Sequence, residues 1–84
     1  MKRIPRKVAK NARYWVLTSH VPAGSRIKVV WRPRAKSGKA TRFVQRATVG
    51  DGMFRLASAP KAGDYRVSVK FSGKQLRTDA VRVR

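Results

Sequence analysis

From about residue 14 onward, apolar side chains recur at every second position in short runs, which is the pattern of strands with one buried face. Tyr14 to Thr18 predicts a first strand. Arg26 to Arg32 predicts a second, with Ile27, Val29 and Trp31 facing one way and Lys28, Val30 and Arg32 the other, after a turn at Val21-Pro22-Ala23-Gly24. Pro33 and Gly38 then interrupt regular structure between Arg32 and Ala40. A strand over Thr41 to Val49 leads into Gly50-Asp51-Gly52, a tight turn of residues that accept positive φ, and Met53 to Ala57 completes a predicted hairpin. Past Pro60-Lys61-Ala62-Gly63, the residues Tyr65, Val67, Val69 and Phe71 alternate with Arg66, Ser68 and Lys70. Ser72-Gly73-Lys74 turns the chain into a last strand, about Leu76 to Arg84, with Val81 and Val83 inward. No segment has a helical period. The expected fold class is all-β, a small antiparallel β-sandwich of six to seven strands.

The first 13 residues break this pattern. Lys2, Arg3, Arg6, Lys7, Lys10 and Arg13 outnumber the sizeable apolar side chains Ile4 and Val8, and Pro5 stops any helix. The organisation expected is a basic extended arm over 1–13 and one sandwich over 14–84. A chain of 84 residues is near the lower limit for a self-sufficient core, and without Cys it has neither a disulfide framework nor a thiolate metal site. Packing must supply the stability.

Pro60-Lys61-Ala62-Gly63-Asp64-Tyr65-Arg66-Val67-Ser68-Val69, followed by a Gly-bearing turn and a Val-x-Val strand, resembles the closing hairpin of immunoglobulin-like and fibronectin type III-like domains. Tyr65 stands at the tyrosine-corner position. Val67 takes the place where true immunoglobulin domains carry Cys, so the likeness is to the cysteine-free bacterial and phage forms. Gly50-Asp51-Gly52-Met53-Phe54-Arg55 is similar to the middle of such modules. The resemblance covers about residues 14–84 and implies an immunoglobulin-like sandwich with Tyr65, Val67, Trp31 and Phe54 as structural residues. It specifies a fold better than a function, because these domains serve as spacers, adhesion units and virion accessories.

Charge narrows the function. Against 22 Lys and Arg the chain has three acidic residues, a net charge of +19. Self-repulsion at that density opposes compaction, so the counter-charge is expected on a partner. If the strands at 41–49, 65–71 and 77–84 share a sheet, its solvent face collects Arg42, Arg46, Arg66, Lys70, Arg82 and Arg84. Two like charges about 5 Å apart in water repel by roughly 0.8 kcal/mol before salt screens them, a tolerable cost. Arg predominates there, which suits bidentate contact with carboxylate or phosphate. Arg32, Arg34, Lys36 and Lys39 make the loop after the second strand basic as well.

Catalytic and metal chemistry find little support. His20 is the single imidazole, and its neighbour Ser19 points the other way on an extended chain with no third group to orient a base. Asp51, Asp64 and Asp79 are separated and read as turn-formers and local ion-pair partners. Ser37-Gly38-Lys39 lacks the first Gly of a phosphate-binding loop, and Ala40 replaces its Ser or Thr. Trp15, Trp31, Tyr14, Phe43 and Phe54 are the aromatics available for base stacking, and in so small a sandwich most are expected in the core. Tyr14 and Trp15, adjacent on one strand, cannot both face inward.

The expected function is therefore a non-enzymatic structural module without cofactor. Its basic arm and sheet face dock, in multiple copies, onto a large acidic assembly, most concretely the protein shell of a virus particle. Sequence-nonspecific nucleic-acid or ribosome binding is the alternative, and adhesion to anionic cell-surface polymers a third. The short apolar run Tyr14 to Leu17 is neither a signal core nor a span, so membrane insertion is not expected, and the location expected is the virion or otherwise the cytoplasm.

Overall fold

The computed structural model describes residues 4–18, 21–34 and 41–84, and these form seven strands. In chain order they are β1 (Lys7–Val8), β2 (Arg13–Leu17), β3 (Arg26–Pro33), β4 (Phe43–Thr48), β5 (Met53–Ala57), β6 (Gly63–Phe71) and β7 (Lys74–Val83). Five make one sheet in the order β1-β7-β6-β3-β4, and β2 with β5 makes the other. Every pairing is antiparallel except β1 with β7, which is parallel. The two sheets form an open, partly barrel-like β-sandwich.

Alternation explains the layers. Ile27, Val29 and Trp31 of β3, Tyr65, Val67 and Val69 of β6, and Val81 and Val83 of β7 face Val16, Phe54 and Leu56 of the smaller sheet in one contiguous core. Trp31, Tyr65 and Phe54 are its largest fully buried side chains. The rings of Trp31 and Tyr65 meet edge to face, with centroids 5.7 Å apart and planes at 81°, the arrangement that aromatic quadrupoles favour. The Tyr65 hydroxyl donates to the Lys61 carbonyl four residues upstream at 2.7 Å, the hydrogen bond that makes a tyrosine corner.

The described part of the basic arm is joined to the sandwich rather than set apart from it. Ile4 and Val8 enter the core, and Lys7–Val8 pairs with Arg82–Val83 along the outer edge of β7. Two apolar side chains at a spacing of four were too few to announce a strand, yet each fills a place the small core would otherwise leave open.

Strand ends also differ from expectation. β7 begins at Lys74, because Ser72 (φ 49°) and Gly73 (φ 77°) alone close the β6–β7 turn, and a register shift between Val69 and Lys70 absorbs the odd residue. Gly50 and Met53 exchange backbone hydrogen bonds of 2.8 and 2.9 Å around Asp51 (φ 51°) and Gly52 (φ 75°), a two-residue turn as predicted. The predicted hairpin does not extend beyond it. β4 pairs with β3 and β5 with β2, so the chain changes sheet at this turn, which lets Phe54 and Leu56 enter the core from the opposite layer.

Candidate polyanion-binding face

Pairing register places one set of side chains on the outward face of the five-stranded sheet. The strands expected to share a sheet do so, with β3 between β4 and β6. Arg46, Lys28 and Lys70 thereby stand in one row across β4, β3 and β6. Arg32 and Arg66 stand opposite each other four residues along β3, and Asp64 opposite Arg82 beyond them. Arg42 and Arg84 are exposed just outside the ends of β4 and β7.

Between the two cationic rows runs an uncharged one of Val44, Val30, Ser68 and Thr78. Val30 is 1% exposed although it lies outside the contiguous core. Long Lys and Arg side chains keep their heads in water while their methylene stems lie along apolar surface, which accounts for a buried Val on a charged face. Cations directly opposite each other on neighbouring strands destabilise a sheet, so the rows carry a folding cost that a bound anion would remove.

The cations converge at one end. A groove of about 660 Å³ is lined by Arg26, Lys28, Arg46 and Lys70, with Thr48 and Ser72 among the remaining residues and no acidic side chain. At the other end Asp64 accepts from Arg82 Nε at 2.8 Å, and its backbone carbonyl accepts from the Arg34 amide at 2.9 Å. The Arg82 hydrogen bond, helped by the nearby charges of Arg82 and Arg34, holds the Asp64 carboxyl below its ordinary value of 3.8. The same contact raises the Arg82 guanidinium. Asp64 thus neutralises part of the charge at that end, whereas no acidic side chain lines the groove at the Lys28 end.

The arm residues are dispersed. Arg6 and Lys7 lie at the β1 edge beside Arg82, Lys10 is exposed in the turn after β1, and Arg13 is on the outer face of the smaller sheet. Arg34 follows β3 and is exposed. Lys2, Arg3, Lys36 and Lys39 lie outside the described residues, as do Ser19, His20 and Ser37-Gly38-Lys39.

Trp15 is the aromatic left out of the core, as expected for one of the adjacent pair Tyr14 and Trp15. Val16 points inward and Tyr14 packs against the core, so Trp15 is left outward and 64% exposed. Its register partner is Arg55, whose guanidinium carbon lies 5.6 Å from the indole centroid. A groove of about 360 Å³ beside this pair is lined by Arg13, Trp15, Gln45, Arg46, Thr48 and Arg55 together with Ala47 and Ala57. Arg46 thus borders both grooves. Arg26, Lys28 and Arg55 were not among the expected site residues. Alternation alone puts Lys28 on the face of Arg32, whereas its position between Arg46 and Lys70 depends on strand order.

The acids take structural places. Asp51 sits in the positive-φ turn. Asp79 lies within β7, is buried, and accepts from Arg77 Nε at 2.6 Å and from the Ile4 amide at 3.4 Å. Among the described residues no three His, Cys, Asp or Glu gather to hold a metal ion, and no helix is long and apolar enough to cross a membrane. No family model matches this chain, and neither the curated proteins nor the solved structures searched contain a match.

Proposed function

We propose that this chain is a non-enzymatic docking module that binds a large acidic assembly through the outward face of its five-stranded sheet. The observation that carries this reading is the row Arg46, Lys28 and Lys70 across three neighbouring strands, opening into a groove without acid. A fold does not need three cations side by side, and an anionic partner turns their mutual repulsion into attraction. The form of assembly we favour is the protein shell of a virus particle, carried in many copies. Strand order supports the immunoglobulin-like resemblance, with β3 rather than the strand expected at 41–49 in the C position: β3, β6 and β7 lie adjacent as C, F and G strands do, with β2 and β5 in the opposite sheet.

Copurification from the native source at moderate salt tests this. Recovery in fixed ratio with a nuclease-resistant particle is expected, and the absence of saturable binding to any particle would refute it. A second reading, nucleic-acid binding, has one observation in its favour, the exposed Trp15 beside Arg55. About six phosphate contacts predict a log–log salt slope near −5 on duplex DNA, whereas docking on a protein shell is less salt-sensitive and saturates at fixed stoichiometry.

A further inference from the structure

The outer face of the β2–β5 sheet has a composition that neither the core nor the electrostatic docking face requires. Trp15 is 64% exposed and Leu17 42% exposed, on a strand that had inward positions to offer. Arg13 lies two residues before Trp15 on the same face, Arg55 stands opposite it, and Arg46 reaches the same groove from β4. An indole with Arg55 over it, in a groove that Arg13 and Arg46 also line and no acid does, offers two kinds of contact at once. The ring supplies a π-face for a planar partner, and the guanidinium groups supply bidentate donors for phosphate.

We infer that Trp15 is the stacking platform of a single-stranded nucleic-acid site, in which an unpaired base takes the place over the indole that the Arg55 guanidinium holds in the free protein, while Arg13, Arg46 and the displaced Arg55 hold the flanking phosphates. An acidic protein surface would use the cations but has no need of the ring. A duplex keeps its bases stacked on one another and cannot present a π-face to Trp15. A single strand matches both features, because every base has such a face and every nucleotide a phosphate. The groove of about 360 Å³ falls within the range of about 300–1,000 Å³ usual for small-ligand sites. Because Arg46 also borders the larger groove lined by Arg26, Lys28 and Lys70, the strand has a continuous cationic path over β4 onto the five-stranded sheet.

This inference rests on the second, nucleic-acid reading and narrows it to single strands; it uses the same cations but does not depend on docking to a protein shell. Its test reads affinity from the anisotropy of end-labelled strands and stacking from the fluorescence of the exposed Trp15, with the fully buried Trp31 as an internal reference. Oligothymidylate, an abasic phosphodiester chain of the same length and a duplex are titrated into the intact protein at low salt, and the first two into Trp15→Ala. Oligothymidylate is expected to quench the exposed component and to bind about tenfold more tightly than the abasic chain, a preference lost in Trp15→Ala with affinity for the abasic chain retained. Equal affinity for base-bearing and abasic chains overturns the stacking site while leaving polyanion docking intact. Tighter binding of the duplex than of the single strand also overturns it. Binding of none of them at low salt overturns it too, and leaves an acidic protein surface as the partner of the docking face.

Discussion

The side-chain amide of Gln45 pairs with the backbone of Ala57 and Arg55 as another strand would. Its Oε1 accepts from the Ala57 amide at 2.8 Å and its Nε2 donates to the Arg55 carbonyl at 2.6 Å. β4 and β5 belong to different sheets and share no ladder, so one side chain joins the layers where the sandwich would otherwise be open. The same contact fixes Arg55, and so the cation beside Trp15, relative to Arg46.

Gln45→Leu keeps the volume and removes both partners. A net contribution of about 1 kcal/mol for each of two partly exposed hydrogen bonds predicts a loss of about 1–2 kcal/mol in urea unfolding, with the slope of the transition unchanged. Gln45→Glu retains the acceptor for Ala57 but not the donor for Arg55, and is expected to recover less than half of that. Equal stability of Gln45→Leu and the parent would mean that the sheets are held together without this clasp.

Ile4 tests whether the start of the chain is a tether or part of the fold. It is fully buried in the core, nine residues before β2 begins, and its amide donates to Asp79. Ile4→Ala is expected to cost about 2–4 kcal/mol, in the range of other buried large-to-small changes. Truncation of a merely tethering arm would leave the unfolding midpoint where it was. Deletion of residues 2–12 would therefore remove core as well as charge, so charge substitutions at Arg6 and Lys7 measure the arm's part in binding more cleanly.

Much of the sandwich is legible in the chain because alternation with period two is a local signal, which β6 shows in its sequence without interruption and β3 shows apart from Val30. Asp51-Gly52 and Gly73 are legible as turn positions because Gly, and to a lesser degree Asp, accepts positive φ where most residues do not. What could not be read is pairing between distant segments. Lys7–Val8 became a strand only because β7 had a free edge, and Met53 to Ala57 left β4 for β2 because its apolar face was needed in the opposite layer. The candidate site was half-legible for the same reason. Arg46, Arg66, Lys70 and Arg82 follow from alternation, whereas Lys28 joins them only once β3 is known to stand between β4 and β6. That one of Tyr14 and Trp15 faces outward was legible from their adjacency, but which one depends on the phase of a five-residue strand, and that is set by Val16 entering the core.

Lys28 occupies the middle of the cationic row, so its substitution should move folding and binding in opposite directions. Lys28→Gln relieves repulsion by both Arg46 and Lys70 and is expected to stabilise the fold by a few tenths of a kcal/mol, seen as a small rise in Tm at low salt that high salt abolishes. Docking on a polyanion should weaken in the same variant, and on nucleic acid the salt slope should shrink by about 1. Loss of binding without a stability gain would indicate local damage rather than removal of a charge. An unchanged affinity would place the docking surface elsewhere.

Asp64 sets the acid limb of this behaviour. Its carboxyl is held below the ordinary 3.8 by the hydrogen bond from Arg82, with the charges of Arg82 and Arg34 adding to it. A folded value below the unfolded one means that the interaction stabilises the protein fully above the ordinary carboxylate range and loses that effect as pH falls through the lowered value. Both partners are exposed to solvent, so the effect is small and screened by salt. Asp64→Asn should therefore narrow the stability difference between pH 7 and pH 2, as measured by paired thermal melts of variant and parent. The substitution also removes the carboxylate that neutralises Arg82, so that the groove beside Arg82, like the one at Lys28, is lined by no acid. Tighter binding of Asp64→Asn to an anionic partner at neutral pH, with a steeper salt dependence, is the expected result. If the variant instead binds less tightly, Asp64 serves to hold Arg82 in its binding position rather than to oppose the anion.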